Sequence, residues 1–86
     1  MNQRTDEPSD HDFEQHLAAM GKRLRAARRS ADLTQVELAA LSGVDRGNIS
    51  RAEHGGNISV LTLWHLASAL GLRAADLLDD RPLGDR

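Results

Sequence analysis

Residues 34–53, Thr34-Gln35-Val36-Glu37-Leu38-Ala39-Ala40-Leu41-Ser42-Gly43-Val44-Asp45-Arg46-Gly47-Asn48-Ile49-Ser50-Arg51-Ala52-Glu53, contain two helix starts and one forced turn. Thr34 and Glu37 have the spacing of a capping box. The threonine hydroxyl accepts from the first turn while the glutamate reaches back to the threonine amide. Leu38, Ala39 and Leu41 then supply a short apolar face. Gly43 stands where that helix must stop, because glycine takes the left-handed backbone of a helix end without steric cost. Asp45 is an N-cap for a second helix, whose inward side is Ile49 and Ala52. Two helices of about two turns each, joined this tightly, must cross steeply, and Ala39 is small enough to let them touch.

This arrangement is a helix-turn-helix. The segment resembles that of the phage repressor and Cro-like family, the xenobiotic-response-element type of regulator. The resemblance runs from about Gly21 to Leu78. Gln35, Ala39, Gly43, Val44 and Ile49 stand where the family signature expects them. Arg28 and Glu53 match a pair that ties the first helix of such domains to the end of the recognition helix. Thr62-Leu63, Leu66-Ala67 and Ala69-Leu70-Gly71 match the fourth helix. The resemblance implies an all-α, lambda-repressor-like bundle of five helices and a DNA-binding function.

A chain of 86 residues is one small domain with a single modest core. Its apolar side chains are mostly Leu and Ala, with one Phe, one Trp and no Tyr, a mix that favours helices over strands. The absence of cysteine excludes disulfides, thiolate metal sites and a cysteine nucleophile. No apolar run has membrane-spanning length, and the acidic N-terminus is unlike a signal peptide, so a cytoplasmic location is expected.

The net charge of −2 becomes informative once it is divided along the chain. Residues 1–16 set Asp6, Glu7, Asp10, Asp12 and Glu14 against Arg4 alone. Residues 17–57 set Lys22, Arg23, Arg25, Arg28, Arg29, Arg46 and Arg51 against Asp32, Glu37, Asp45 and Glu53. Residues 58–86 set Arg73, Arg81 and Arg86 against Asp76, Asp79, Asp80 and Asp85. Positive charge therefore collects where the motif lies, as a DNA-binding surface requires.

The expected domain organisation is an acidic disordered tail over 1–8, a DNA-binding domain over 9–78 with its motif at 34–54, and a loose tail over 79–86. Ser9 and Asp12 start a long first helix, extended at its N-terminus relative to the family. Along it Phe13, Leu17, Met20, Leu24, Ala27 and Ala31 form one narrow apolar stripe. Leu24 and Ala27 belong to the core. Phe13, Leu17 and Met20 either fold onto the same chain or meet a second one. Leu33 plugs the core ahead of Thr34. Gly55 stops the recognition helix, Ser59 caps a fourth helix with Leu63, Leu66, Ala67 and Leu70 inward, and Gly71 ends it. A short fifth helix over 74–78 closes the bundle with Leu77. Leu61 and Trp64 are three apart and fit neither inward position. They either pack on the fifth helix or form a dimer or partner patch.

B-DNA's major groove admits one α-helix, docked with its N-terminal turns at the base edges. The side of the second motif helix opposite Ile49 and Ala52 carries Arg46, Gly47, Ser50 and Arg51, with Asn48 at its margin. Arg46 and Arg51 can each fork onto O6 and N7 of guanine, and Asn48 suits a phosphate or an adenine edge. Gly47 gives up a base-reading side chain for closer backbone approach. Asp45 is a cap first and a cytosine reader second. Thr34 and Gln35, at the start of the preceding helix, are expected at one phosphate, and the amides of Gly56 and Asn57 at another. The family often has basic residues in that second loop; here there are none, so phosphate binding should be weak for such a domain.

Enzyme chemistry is not expected. His11, His16, His54 and His65 lack metal-ligand spacing with a supporting carboxylate, and no glycine-rich phosphate loop is present. No metal, cofactor or small-molecule ligand is expected. The expected partner is double-stranded DNA, bound as a homodimer by a transcriptional regulator acting as a repressor. The alternative is the antitoxin of a toxin–antitoxin pair, whose acidic tails also cover a protein toxin. A third reading is a protein-interaction module that kept the fold and lost the DNA.

Overall fold

In the structure, a computed structural model describing residues 9–78, five helices follow one another. They are α1 (Asp10–Ser30), α2 (Gln35–Ser42), α3 (Arg46–Glu53), α4 (Val60–Ala69) and α5 (Ala74–Leu78). The tails expected over 1–8 and 79–86 lie outside the described residues.

Local chemistry sets the helix ends. At α1 the Ser9 hydroxyl accepts from the Asp12 amide at 3.1 Å and Asp12 accepts from the Ser9 amide at 3.2 Å. At α2 Thr34 and Glu37 make the same reciprocal pair, at 3.0 and 2.8 Å. Ser59 caps α4 through the Thr62 amide at 3.0 Å. Gly43 ends α2 with φ +75°, and Gly55 follows α3 with φ +89°, both in the left-handed region where a side chain would be strained. After α3 the Gly55 amide donates to Ala52 and the Gly56 amide to Arg51, at 3.0 and 2.8 Å. These two bonds make a Schellman stop that satisfies two end carbonyls.

The core is Met20, Leu24, Leu38, Val44, Ile49, Ala52, Leu63, Leu66, Ala67 and Leu77, drawn from all five helices and the α2–α3 turn. Five of them (Leu24, Leu38, Ile49, Leu66 and Leu77) are fully buried, each worth roughly 1.5–3 kcal/mol of apolar transfer. α1 packs on α3 and α5, while α2 packs on α3 and α4. At Gly21 α1 passes close to the end of α3. A Cβ there would collide with the Ala52 carbonyl oxygen and come within 2.9 Å of that of Glu53. The small Ala52 is thus met by tight backbone packing.

Three apolar expectations need correction. Met20 is only 3% exposed and belongs to the chain's own core, so it is withdrawn from any partner surface. Leu41 is exposed: it lies two residues beyond the inward Ala39, about 200° around the helix, so both cannot face in. Ala31 is exposed as the C-cap of α1, one residue past the helix end and just before Asp32 turns the chain with φ +59°. Leu17 is half-buried against the core, whereas Phe13 is half exposed. Leu61 and Trp64 are exposed as well; the Trp64 ring meets His65 edge-on, with centroids 5.3 Å apart.

Candidate nucleic-acid interface

α3 is presented as a helix with two unlike sides. Ile49, Ala52 and Glu53 are buried, while Arg46, Gly47 and Arg51 are exposed and Asn48 and Ser50 half-buried. All five residues expected at base edges are therefore on one short element. Its start is fixed by Asp45, whose Oδ2 accepts from the Gly47 amide at 2.9 Å. A Cβ on residue 47 would lie 2.9 Å from that same oxygen. A side chain at 47 would thus need only a small shift of the exposed Asp45 carboxylate.

A buried pair holds α3 in place from behind. Arg28 on α1 donates through Nε to Glu53 Oε2 at 2.6 Å and through Nη2 to Oε1 at 3.0 Å, a bidentate fork. Its Nη1 donates to the Leu33 carbonyl at 2.8 Å, so the same guanidinium also secures the chain leaving α1. Burial acts to raise the Glu53 carboxyl. The hydrogen bonds from Arg28 and Gln35, with the charges of Arg28 and Arg25, outweigh it and hold the group below its ordinary 4.5. The bond to Glu53 keeps the Arg28 guanidinium above its ordinary range.

Gln35 stands where sequence reasoning put it, at the start of α2, but its side chain is engaged. Nε2 donates to Glu53 Oε1 at 3.1 Å, linking the first residue of α2 to the last of α3. That bond uses one of the two amide hydrogens of the side chain, and the first turn of a helix leaves backbone amides without intrahelical partners. The exposed Thr34 spends its own amide and a hydroxyl lone pair on the capping box, leaving the hydroxyl proton to give.

The second expected phosphate cradle changes. The Gly56 amide is used on the Arg51 carbonyl at 2.8 Å, so it is not a free donor. Gly56 is needed for space. A Cβ there would run into Arg51 Cγ and lie 2.9 Å from the Arg51 carbonyl oxygen. Asn57 is exposed beside the capped start of α4. Arg51 itself donates from Nη2 to Asn48 Oδ1 at 2.8 Å, a link along α3 that single-residue reasoning missed. Sequence reasoning also missed Arg23, counted only as positive charge. Its Nε and Nη2 donate to the Leu77 and Leu78 carbonyls, each at 2.8 Å, closing the end of α5 on α1.

Among the described residues no group of three or more His, Cys, Asp and Glu could hold a metal ion, and no helix is long and apolar enough to cross a membrane. The model of a helix-turn-helix family matches residues 24–77. The chain is 38% identical over 71 residues to an uncharacterized HTH-type transcriptional regulator, y4dJ, of Sinorhizobium fredii. That match covers 78% of this chain and 92% of the relative. Among solved structures it is similar to the restriction-modification controller protein C.AhdI of Aeromonas hydrophila. The identity is 38% and the TM-score 0.70, over 73% of this chain and 97% of that one. It is also similar to a hypothetical transcription factor, NHTF, of Neisseria, at 29% identity and TM-score 0.69, over 99% and 93%. With an exposed, arginine-bearing α3 held by a buried fork, and relatives of this kind along most of its length, the chain belongs to the helix-turn-helix family of DNA-binding transcriptional regulators.

Proposed function

We propose that the protein is a repressor that binds a palindromic operator as a homodimer, with α3 in the major groove of each half-site. The observation that carries this reading is the exposed side of α3, where Arg46 and Arg51 stand clear of the core. Each places a donor fork suited to guanine, worth about 1–3 kcal/mol of discrimination. Thr34, Gln35 and Asn57 lie at the two helix starts that would flank the groove, and serve as phosphate contacts. A domain this small gains its specificity by pairing, since helix-turn-helix half-sites recur about one helical turn apart.

The pairing surface is assigned to α4, where Val60, Leu61 and Trp64 are all exposed, at 80, 64 and 55%. Tryptophan is a common anchor of such contacts. Phe13 on the overhanging first turns of α1 is a single side chain and the weaker candidate. Sedimentation of Trp64→Asp and Phe13→Asp variants separates the two: the first is expected to be monomeric, the second unchanged. The operator reading is tested by selecting bound duplexes from a random pool and following affinity across salt. An inverted repeat with half-sites about one turn apart supports it; no enrichment over random DNA at low salt defeats it.

A further inference from the structure

We infer that Gly56 and Asn48 are positioning residues for Arg51, and that Asn48 acts on this guanidinium instead of reading adenine. The inference rests on the proposal that α3 reads base edges. Three observations support it. Arg51 donates from Nη2 to Asn48 Oδ1 at 2.8 Å. A guanidinium has no acceptor, so this contact fixes which end of the Asn48 amide faces Arg51: the oxygen is turned to it. At the other end of the side chain, Gly56 leaves a gap that the Arg51 stem fills. A Cβ on residue 56 would collide with Arg51 Cγ and stand 3.3 Å from Cδ. The backbone between them is tied as well, with the Gly56 amide on the Arg51 carbonyl at 2.8 Å.

Arg51 is thus held at its base by the turn after α3 and at its tip by a residue one turn back. An arginine otherwise pays for ordering several rotatable bonds on contact, so restraint before binding favours the bound geometry. The chemistry exposed to DNA is correspondingly one-sided. The Asn48 oxygen already accepts from Arg51, leaving its two N–H groups, and both arginines only donate. In the major groove guanine offers two acceptors, adenine one acceptor beside a donor, and cytosine a donor. A donor-rich helix leaves fewest groups unmatched over guanine. The inference is therefore a guanine at the Arg51 position of each half-site, with discrimination that depends on residues 48 and 56.

The test uses the selected duplex and three variants of it that change only the base pair assigned to Arg51. The quantity read is the ratio of affinities between them, alongside the melting temperature of each protein variant. Asn48→Ala and Gly56→Ala are each expected to reduce the guanine preference by on the order of tenfold. Asn48→Asp keeps an oxygen for Arg51 but removes the outward N–H groups. It should restore the ratio while weakening all four duplexes together, because it adds negative charge near phosphates. Were Asn48 a direct adenine reader, both Asn48 variants would leave the guanine preference at the Arg51 base pair unchanged. Full guanine preference in Asn48→Ala, or in a folded Gly56→Ala, overturns the inference. Should Gly56→Ala fail to fold, the Asn48 pair decides alone. If those variants keep a preference that Arg51→Ala abolishes, the positioning inference falls while the reading of α3 stands. If Arg51→Ala and Arg46→Ala change no ratio at all, the reading of α3 falls and takes the inference with it.

Discussion

Arg28 and Arg51 each donate to a side-chain oxygen of α3, from opposite sides of that helix, and serve different ends. Arg28 lies behind the helix and forks onto Glu53, both residues being 8% exposed. Arg51 lies on the open side and gives one bond to Asn48. Two ions removed from water must be paired well, so the buried fork has no tolerance for losing a partner. The exposed pair costs little to break, because water replaces what is lost. The difference separates residues that place the recognition helix from residues that use it.

The largest effect should come from Glu53→Ala. It leaves the Arg28 guanidinium buried without its carboxylate and frees the Gln35 amide, a loss of about 3–5 kcal/mol. For a domain of this size that is a fall in melting temperature on the order of 10 °C or more. The double change Arg28→Met with Glu53→Leu should recover most of the loss, since an apolar pair of similar volume needs no solvation. If the double variant is as unstable as the single one, charge burial is the wrong account of the site. The same group sets an acid limit. Glu53 is held below its ordinary 4.5, so its contribution is complete above that value. It is lost as the pH falls toward and through the lower folded value, where the native state must finally take up the proton. Wild type should therefore lose stability below about pH 4.5 more steeply than Glu53→Gln, as read by denaturant melts across pH.

Gly21→Ala should come next. Helix propensity favours the change by nearly 1 kcal/mol, but a methyl group there meets the backbone carbonyls of Ala52 and Glu53. Overpacking against backbone, which cannot rotate away, costs typically 1–3 kcal/mol. The expected net result is a less stable protein with α3 shifted, seen as a lower melting temperature. A gain in stability would mean that α1 and α3 can part without penalty.

These positions also show what the sequence could and could not disclose. Caps and stops were readable because they depend on neighbours in the chain: Ser9 with Asp12, Thr34 with Glu37, Ser59 with Thr62, and Gly43 in its left-handed turn. Core positions with helical spacing were readable for the same reason, and Leu41 failed because α2 offers two turns and two competing inward choices. The pair of Arg28 and Glu53 came from resemblance, as no local rule joins residues 25 apart. What stayed hidden is space. Gly56 and Gly21 lack a left-handed backbone, so no turn geometry demands glycine there; the crowding atoms belong to Arg51, Ala52 and Glu53. The engagement of Gln35 by Glu53 and of Arg23 by α5 was invisible for the same cause, since both depend on how helices cross.

The smallest expected change in stability is the one that most sharpens the contrast. Arg51→Ala removes an exposed side chain whose bond to Asn48 runs along one helix, and such pairs contribute about 0.2–0.5 kcal/mol. Alanine recovers part of that through helix propensity, so the melting temperature should stay within about 2–3 °C of wild type. Operator selectivity should nevertheless fall by 10-fold or more, measured as the affinity ratio between specific and random duplex. A large drop in melting temperature with selectivity retained would assign Arg51 to the same structural role as Arg28. The two arginines would then differ in exposure alone, and the open side of α3 would lose half of its base-reading chemistry.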